Sequence, residues 1–285
     1  MVRGEVVGIL GCTILQEELL YVLKTDPDLN NVVVIENEQS VKFLPRIRQE
    51  LPNIKIHVAK MEDLDKVANL DGFSVFLMLK TTSLHRNPDE FRQEVISNCK
   101  SMKPYVTSLL LFYGLCRNAM RKMKKVSLEI GMPIMILTDM EGYEVDDCFG
   151  AVVGGKRKYL DCIKANHGTM LLITGYADHW ANKLGSNDLV KAVEAYENLY
   201  FVFDHCGYNR ALRMDTGLGD VDRFCKQVDV FARTFDLKLS TQRCDLEVFE
   251  HSYALAKGLM HGQIATTEAP VKEELPTVNN ETVPF

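Results

Sequence analysis

The sequence predicts an α/β protein: a Rossmann-like, mostly parallel sheet with helices on both faces, and a more helical C-terminal half. Two observations predict it. Short apolar runs alternate with amphipathic stretches from Val6 to Leu137, the pattern of strands joined by crossover helices. Those runs are continuous rather than alternating, so the strands are buried on both faces, as in a parallel sheet.

The elements follow in order. Val6–Leu10 is a strand and Ile14–Leu23 a helix. Asn31–Ile35 precedes a helix over Val41–Glu50, and Ile54–Val58 precedes one over Met61–Ala68. Gly72–Leu79 leads to a helix over Asp89–Cys99. Val106–Phe112 leads to a helix across Asn118–Ile130, with Asn118 as its N-cap. Pro133–Leu137 ends the series. Beyond it, Cys148–Asn166 reads as helix broken at Gly154-Gly155. Thr169–Thr174 and Leu199–Phe203 are short strands, and Asp178–Lys183, Asn187–Glu197, Asp220–Thr234 and Cys244–Leu259 are helices. Residues 1–262 are expected to form one α/β domain, or else two lobes over 1–140 and 141–262. From residue 263 to 285 the composition turns to Thr, Glu, Pro, Val and Asn without periodicity, the signature of a disordered acidic tail.

Composition narrows the function. A hydrophobic fraction of 46% and a charged fraction of 25% are those of an ordinary globular chain. A formal charge of −6 argues against nucleic acid as partner, since phosphate binding needs a clustered basic surface. The most basic run, Arg117–Lys125, reads as the solvated face of a helix. No apolar stretch approaches the roughly 20 residues that span a bilayer, and the start at Met1–Glu5 has no signal-peptide character. A cytoplasmic protein without membrane contact is expected, its eight cysteines reduced or metal-bound.

Three of those cysteines stand where strands end. Cys12 closes Gly8-Ile9-Leu10-Gly11-Cys12, Cys116 follows Tyr113-Gly114-Leu115, and Cys148 follows Asp146-Asp147. In a parallel sheet they meet at the carboxyl edge, where open α/β sheets bind ligands. Three soft donors there could hold zinc or an iron–sulfur cluster. The helix start after Cys12 would lower its thiol pKa. Gly11 and Gly114 permit tight turns at which a cofactor could approach. Asp147 is a candidate base or support for Cys148, and equally a helix cap.

Other signals are weaker. Gly150–Arg157 imitates a phosphate-binding loop but has Arg157 where Ser or Thr should contact magnesium; Lys156 remains as an anion contact. Asp215-Thr216-Gly217 is a turn. His205-Cys206 could add a fourth ligand. Cys99, Cys162, Cys225 and Cys244 read as core thiols in helices.

Taken together, Cys12, Tyr113-Gly114-Leu115-Cys116, Asp147-Cys148 with Gly154-Gly155 and Tyr159, and Gly168-Thr169 resemble the prokaryotic family called domain of unknown function 1638, over most of residues 5 to 180. The chain departs from the pattern at Asp146, where the family often has histidine, and at Arg117, where it tends to glycine. The resemblance implies a setting in methanogens and anaerobic bacteria, beside corrinoid-dependent methyl transfer.

The functional expectation is a metal protein of corrinoid-linked one-carbon metabolism, a metal-dependent methyltransferase or redox enzyme. Cys12, Cys116 and Cys148 would be the zinc or iron–sulfur ligands, with Asp147 in support and Tyr113 donating to a small-molecule substrate. The alternative is a non-catalytic accessory protein that binds a corrinoid, a metal or a partner methyltransferase.

Overall fold

A computed structural model describes residues 5–80, 87–185 and 188–260; the predicted tail and the first four residues lie outside that range. Six parallel strands form the first sheet, in the order β3-β2-β4-β1-β5-β6. They are β1 (Val6–Cys12), β2 (Leu29–Ile35), β3 (Lys55–Ala59), β4 (Phe73–Lys80), β5 (Ser108–Phe112) and β6 (Ile134–Ile136). Every residue of β1 and β5 is buried, as continuous apolar runs require when both faces are covered.

Crossover segments join them: α1 (Gln16–Thr25), α2 (Glu38–Glu50), α3 (Pro88–Met102) and α4 (Met123–Ile130). The caps explain the starts. Asn37 accepts from the amides of Gln39 and Ser40 to open α2, and Asn87, followed by Pro88, does the same for α3. The segment after β3 is a 3-10 turn over Met61–Val67 rather than the predicted helix.

A second sheet, also parallel, runs β7-β8-β9: β7 (Thr169–Leu172), β8 (Arg210–Asp215) and β9 (Lys238–Arg243). The helices of this half are α5 (Cys148–Val153), α6 (Lys156–Ala165), α7 (Thr174–Leu184), α8 (Leu189–Cys206), α9 (Val221–Thr234) and α10 (Glu247–Met260). The break between α5 and α6 falls at Gly154-Gly155 as expected, both with positive φ. The expected strand over Leu199–Phe203 is wrong: those residues lie in the second half of α8, whose apolar run reads like a buried strand when taken alone. Strands β8 and β9 escape a pattern search, because Arg-Ala-Leu-Arg-Met-Asp and Lys-Leu-Ser-Thr-Gln-Arg are strongly polar.

The two sheets are closely joined. The first turn of α7 presses on the loop after β1 so tightly that a Cβ on Gly175 would sit 2.1 Å from the Ile14 carbonyl oxygen. The last helix returns to the first sheet: Ser108 Oγ donates to the Ala256 carbonyl at 2.8 Å, Phe112 stacks on Phe249, and the Ser252 hydroxyl receives the Thr138 amide.

Candidate functional site: a thiol cluster at the sheet edge

The chain leaves β1 toward one side of the sheet and β5 toward the other, so the carboxyl ends of these neighbours form the switch-point crevice. Cys12 ends β1, and Cys116 lies four residues past β5. Cys148 opens α5 from the loop that follows β6. Cys12 is buried, while Cys116 and Cys148 are half-buried and packed on the core.

The structure brings the three thiols within electrostatic reach of one another. Burial pushes the Cys116 thiol well up, and the acidic groups of Cys12 and Asp147 add to it. Burial does the same to Cys148, followed by Asp147, Cys12 and Cys116. The expected lowering of Cys12 is overturned. Its sulfur does accept from the Ile14 amide at 3.5 Å, but desolvation wins and the thiol is pushed up to about 12. All three are thus neutral thiols at pH 7. Among the described residues, no group of three His, Cys, Asp or Glu side chains is arranged to hold a metal ion.

Cys116 sits in unusual backbone. The predicted helix over Asn118–Ile130 does not begin at Asn118. Instead Cys116, Arg117 and Asn118 have φ of 45°, 55° and 64°, a left-handed turn that costs non-glycine residues energy. The turn persists because its surroundings hold it. The Cys116 amide donates to the Asp146 carbonyl at 2.9 Å and that of Leu115 to Val145 at 2.8 Å. Arg92 reaches across from α3, donating through Nε to the Ala119 carbonyl at 2.6 Å and through Nη2 to that of Asn118 at 3.1 Å. Helix α4 starts only at Met123.

Gly114 earns its place by close approach. A Cβ there would lie 2.6 Å from the Asp147 nitrogen and 2.7 Å from its Cα. Gly11 is less tight, with Leu79 at 3.2 Å from a Cβ position. Neither glycine has positive φ; the need is space.

Asp147 is fully engaged as a cap. One carboxylate oxygen accepts from the Gly150 amide at 2.9 Å, and the other from the Tyr159 hydroxyl at 2.9 Å. Tyr113 is buried between the strands, its hydroxyl donating to the Gly11 carbonyl at 3.0 Å. Its ring meets Phe91 edge-on. Both residues build the walls that present Cys12 and Cys148. Lys156 is buried too, its ammonium 3.7 Å from an Asp146 oxygen, and its amide donates to Asp139 at 3.0 Å.

Two residues escaped the sequence reading. Asp139 accepts the amides of Glu141, Tyr143 and Lys156 and so shapes the loop that carries Cys148. Tyr176, from the first turn of α7, packs edge-on against Phe149, and burial chiefly, then the Trp180 contact in the opposite sense, then Cys148, set its hydroxyl above the usual range. The signal for it was present: Gly175-Tyr176 follows β7 in the same strand–turn–helix order as the cysteines. His205 and Cys206 lie at the exposed end of α8. The core reading holds for buried Cys99, Cys162 and Cys244, although Cys244 lies in the loop after β9; Cys225 is half-buried.

Fold and site define a class: a parallel α/β protein with two joined sheets and a thiol cluster at the switch point of the larger one. A family model described as "Protein of unknown function (DUF1638)" matches residues 80–253, and the chain belongs to that family. The match takes in Cys116, Cys148, the second sheet and the first half of α10, and leaves β1 with Cys12 outside it. A search of curated proteins gave no match.

Proposed function

We propose that the protein binds a soft metal, zinc or an iron–sulfur cluster, through Cys12, Cys116 and Cys148, and acts in corrinoid-linked one-carbon or methyl-transfer metabolism. One observation supports this above others: three thiols from separate parts of the chain converge so that Cys12 raises the pKa of Cys116, and Cys12 and Cys116 both raise that of Cys148. Such a set is unfavourable to ionise alone and is relieved by a cation. The donors are of the right chemical kind. Their present spacing means that binding would draw the side chains together.

A thiolate-bound zinc would supply a sulfur nucleophile at neutral pH, and an iron–sulfur cluster would supply electrons. The chain's own residues do the positioning. Tyr113 ties the end of β1, Asp147 and Tyr159 fix the start of α5, and the left-handed turn aims Cys116. Gly114 leaves room for the Asp147 backbone and Gly11 for the Leu79 side chain, and Lys156 balances Asp146 beside the site. The corrinoid setting, and a corrinoid protein or methyltransferase as partner, rest on the family resemblance. A non-catalytic accessory role uses the same site.

Metal analysis and a visible spectrum of the full chain purified without oxygen test the proposal. Stoichiometric zinc or iron, lost in Cys116→Ala, is the expected result. Metal well below one equivalent per chain after reconstitution with zinc and with iron and sulfide would overturn it.

A further inference from the structure

Helix α8 carries four of the ten exposed large apolar side chains among the described residues: Val193, Tyr196, Tyr200 and Phe201. Its inward seam is already used, with Leu199 and Phe203 buried and Phe203 set against Phe231 and Phe235. The outer arc interleaves those apolar groups with exposed Glu194, Glu197 and Asp204. The arc runs from Val193 to Asp204, about 17 Å of helix, and combines exposed apolar groups with a negative sign.

Its complement is on the same chain. Exposed Lys122, Lys124 and Lys125 surround the start of α4, Lys125 lying 3.7 Å from exposed Glu129, and Leu128, one turn on from Lys124, is 72% exposed. This is the basic run that stood out in the sequence. Among the described residues, Lys122 and Lys124 have no ion-pair partner, and neither do Glu194 and Glu197. Pairing α8 with another α8 would oppose carboxylates to carboxylates, since Lys191 is already held by Asp188 at 3.1 Å. Charge therefore selects α4 rather than a second α8.

We propose that a second copy of this chain docks with its α4 on α8: Leu128 seats among Tyr200, Phe201 and Val193, and the lysines face Glu194, Glu197 and Asp204. A two-fold operator makes the contact twice, α8 on α4 and α4 on α8, and closes a dimer.

Sedimentation velocity of the full chain over a concentration series, at low and high salt, tests this. The expected result is a monomer–dimer equilibrium that salt weakens. E194K/E197K should lower the association constant about tenfold or more, and so should K124E/K125E, with both variants keeping the wild-type circular dichroism. Mixing the two variants should restore dimers, because each reversed face then meets its complement. Y200S/F201S, which keeps every charge, should also weaken association. A wild-type chain that stays monomeric across the series, or reversals that leave association unchanged, overturns the proposal. So does failure of the mixed variants to associate.

Discussion

The Tyr159 hydroxyl donates to Asp147 across 12 residues of sequence at 2.9 Å, inside the protein, while the other Asp147 oxygen caps α5. Tyr159→Phe removes one donor from a buried carboxylate and keeps the ring. Destabilisation of about 1–3 kcal/mol is expected, measured by denaturant unfolding. Asp147→Asn retains a capping oxygen and should cost less than Asp147→Ala, by about 1 kcal/mol.

Two glycines test close approach. Gly175→Ala forces a methyl group against the Ile14 carbonyl at 2.1 Å, and Gly114→Ala forces one against Asp147 at 2.6 Å. Each should lower stability by about 2 kcal/mol or more, whereas Gly142→Ala, with nothing near the new atom, pays only for its positive φ. Melting temperatures of the three variants, compared in one buffer, give the order.

A pH effect centres on Glu18 in the first turn of α1. It is buried, its Oε2 has no hydrogen-bond partner among the described residues, and its carboxyl is pushed up to about 7 by desolvation first and by Glu17 last. The folded state binds this proton more tightly than the unfolded chain, with its ordinary value of 4.5. The associated stability is full below that value and is lost as pH rises through 7, by up to roughly 3 kcal/mol. Glu18→Gln should therefore be more stable than wild type at pH 8, and the difference should shrink toward pH 4.5. Unfolding curves at several pH values would show it, and equal stabilities throughout would contradict the assignment.

Thiol chemistry offers a probe independent of any metal. Exposed Cys206 should alkylate first in metal-free protein at pH 7. Cys12, held near 12, and the raised Cys116 and Cys148 should lag by about tenfold or more, since the thiolate is the reactive form. Peptide mass spectrometry against time gives each rate.

The first sheet was legible in the sequence because β1, β4 and β5 are buried on both faces and write that burial as unbroken apolar runs. Those strand ends also located Cys12 at the end of β1 and Cys116 just past the end of the neighbouring β5. What sequence could not convey was competition. A helix start favours the Cys12 thiolate, yet desolvation in the assembled crevice is larger, and only tertiary structure sets that balance. The left-handed turn at Cys116 was hidden for the same reason: Arg-Asn-Ala-Met reads as helix, and Arg92 with Asp146 holds it otherwise. Strands β8 and β9 show the converse case, polar sequences made into strands by their neighbours.

Helix α10 has a consequence for how the chain is made. It supplies the contacts at Ser108, Phe112 and Thr138 that seal one side of the first sheet, although those strands are complete more than a hundred residues earlier. During translation the sheet must wait, unsealed on that side, until residues 247–260 have emerged from the ribosome. A nascent chain stalled before α10 would expose β1 and β5 to chaperones, and the thiol edge between them would take its final form only after the second sheet had been synthesised.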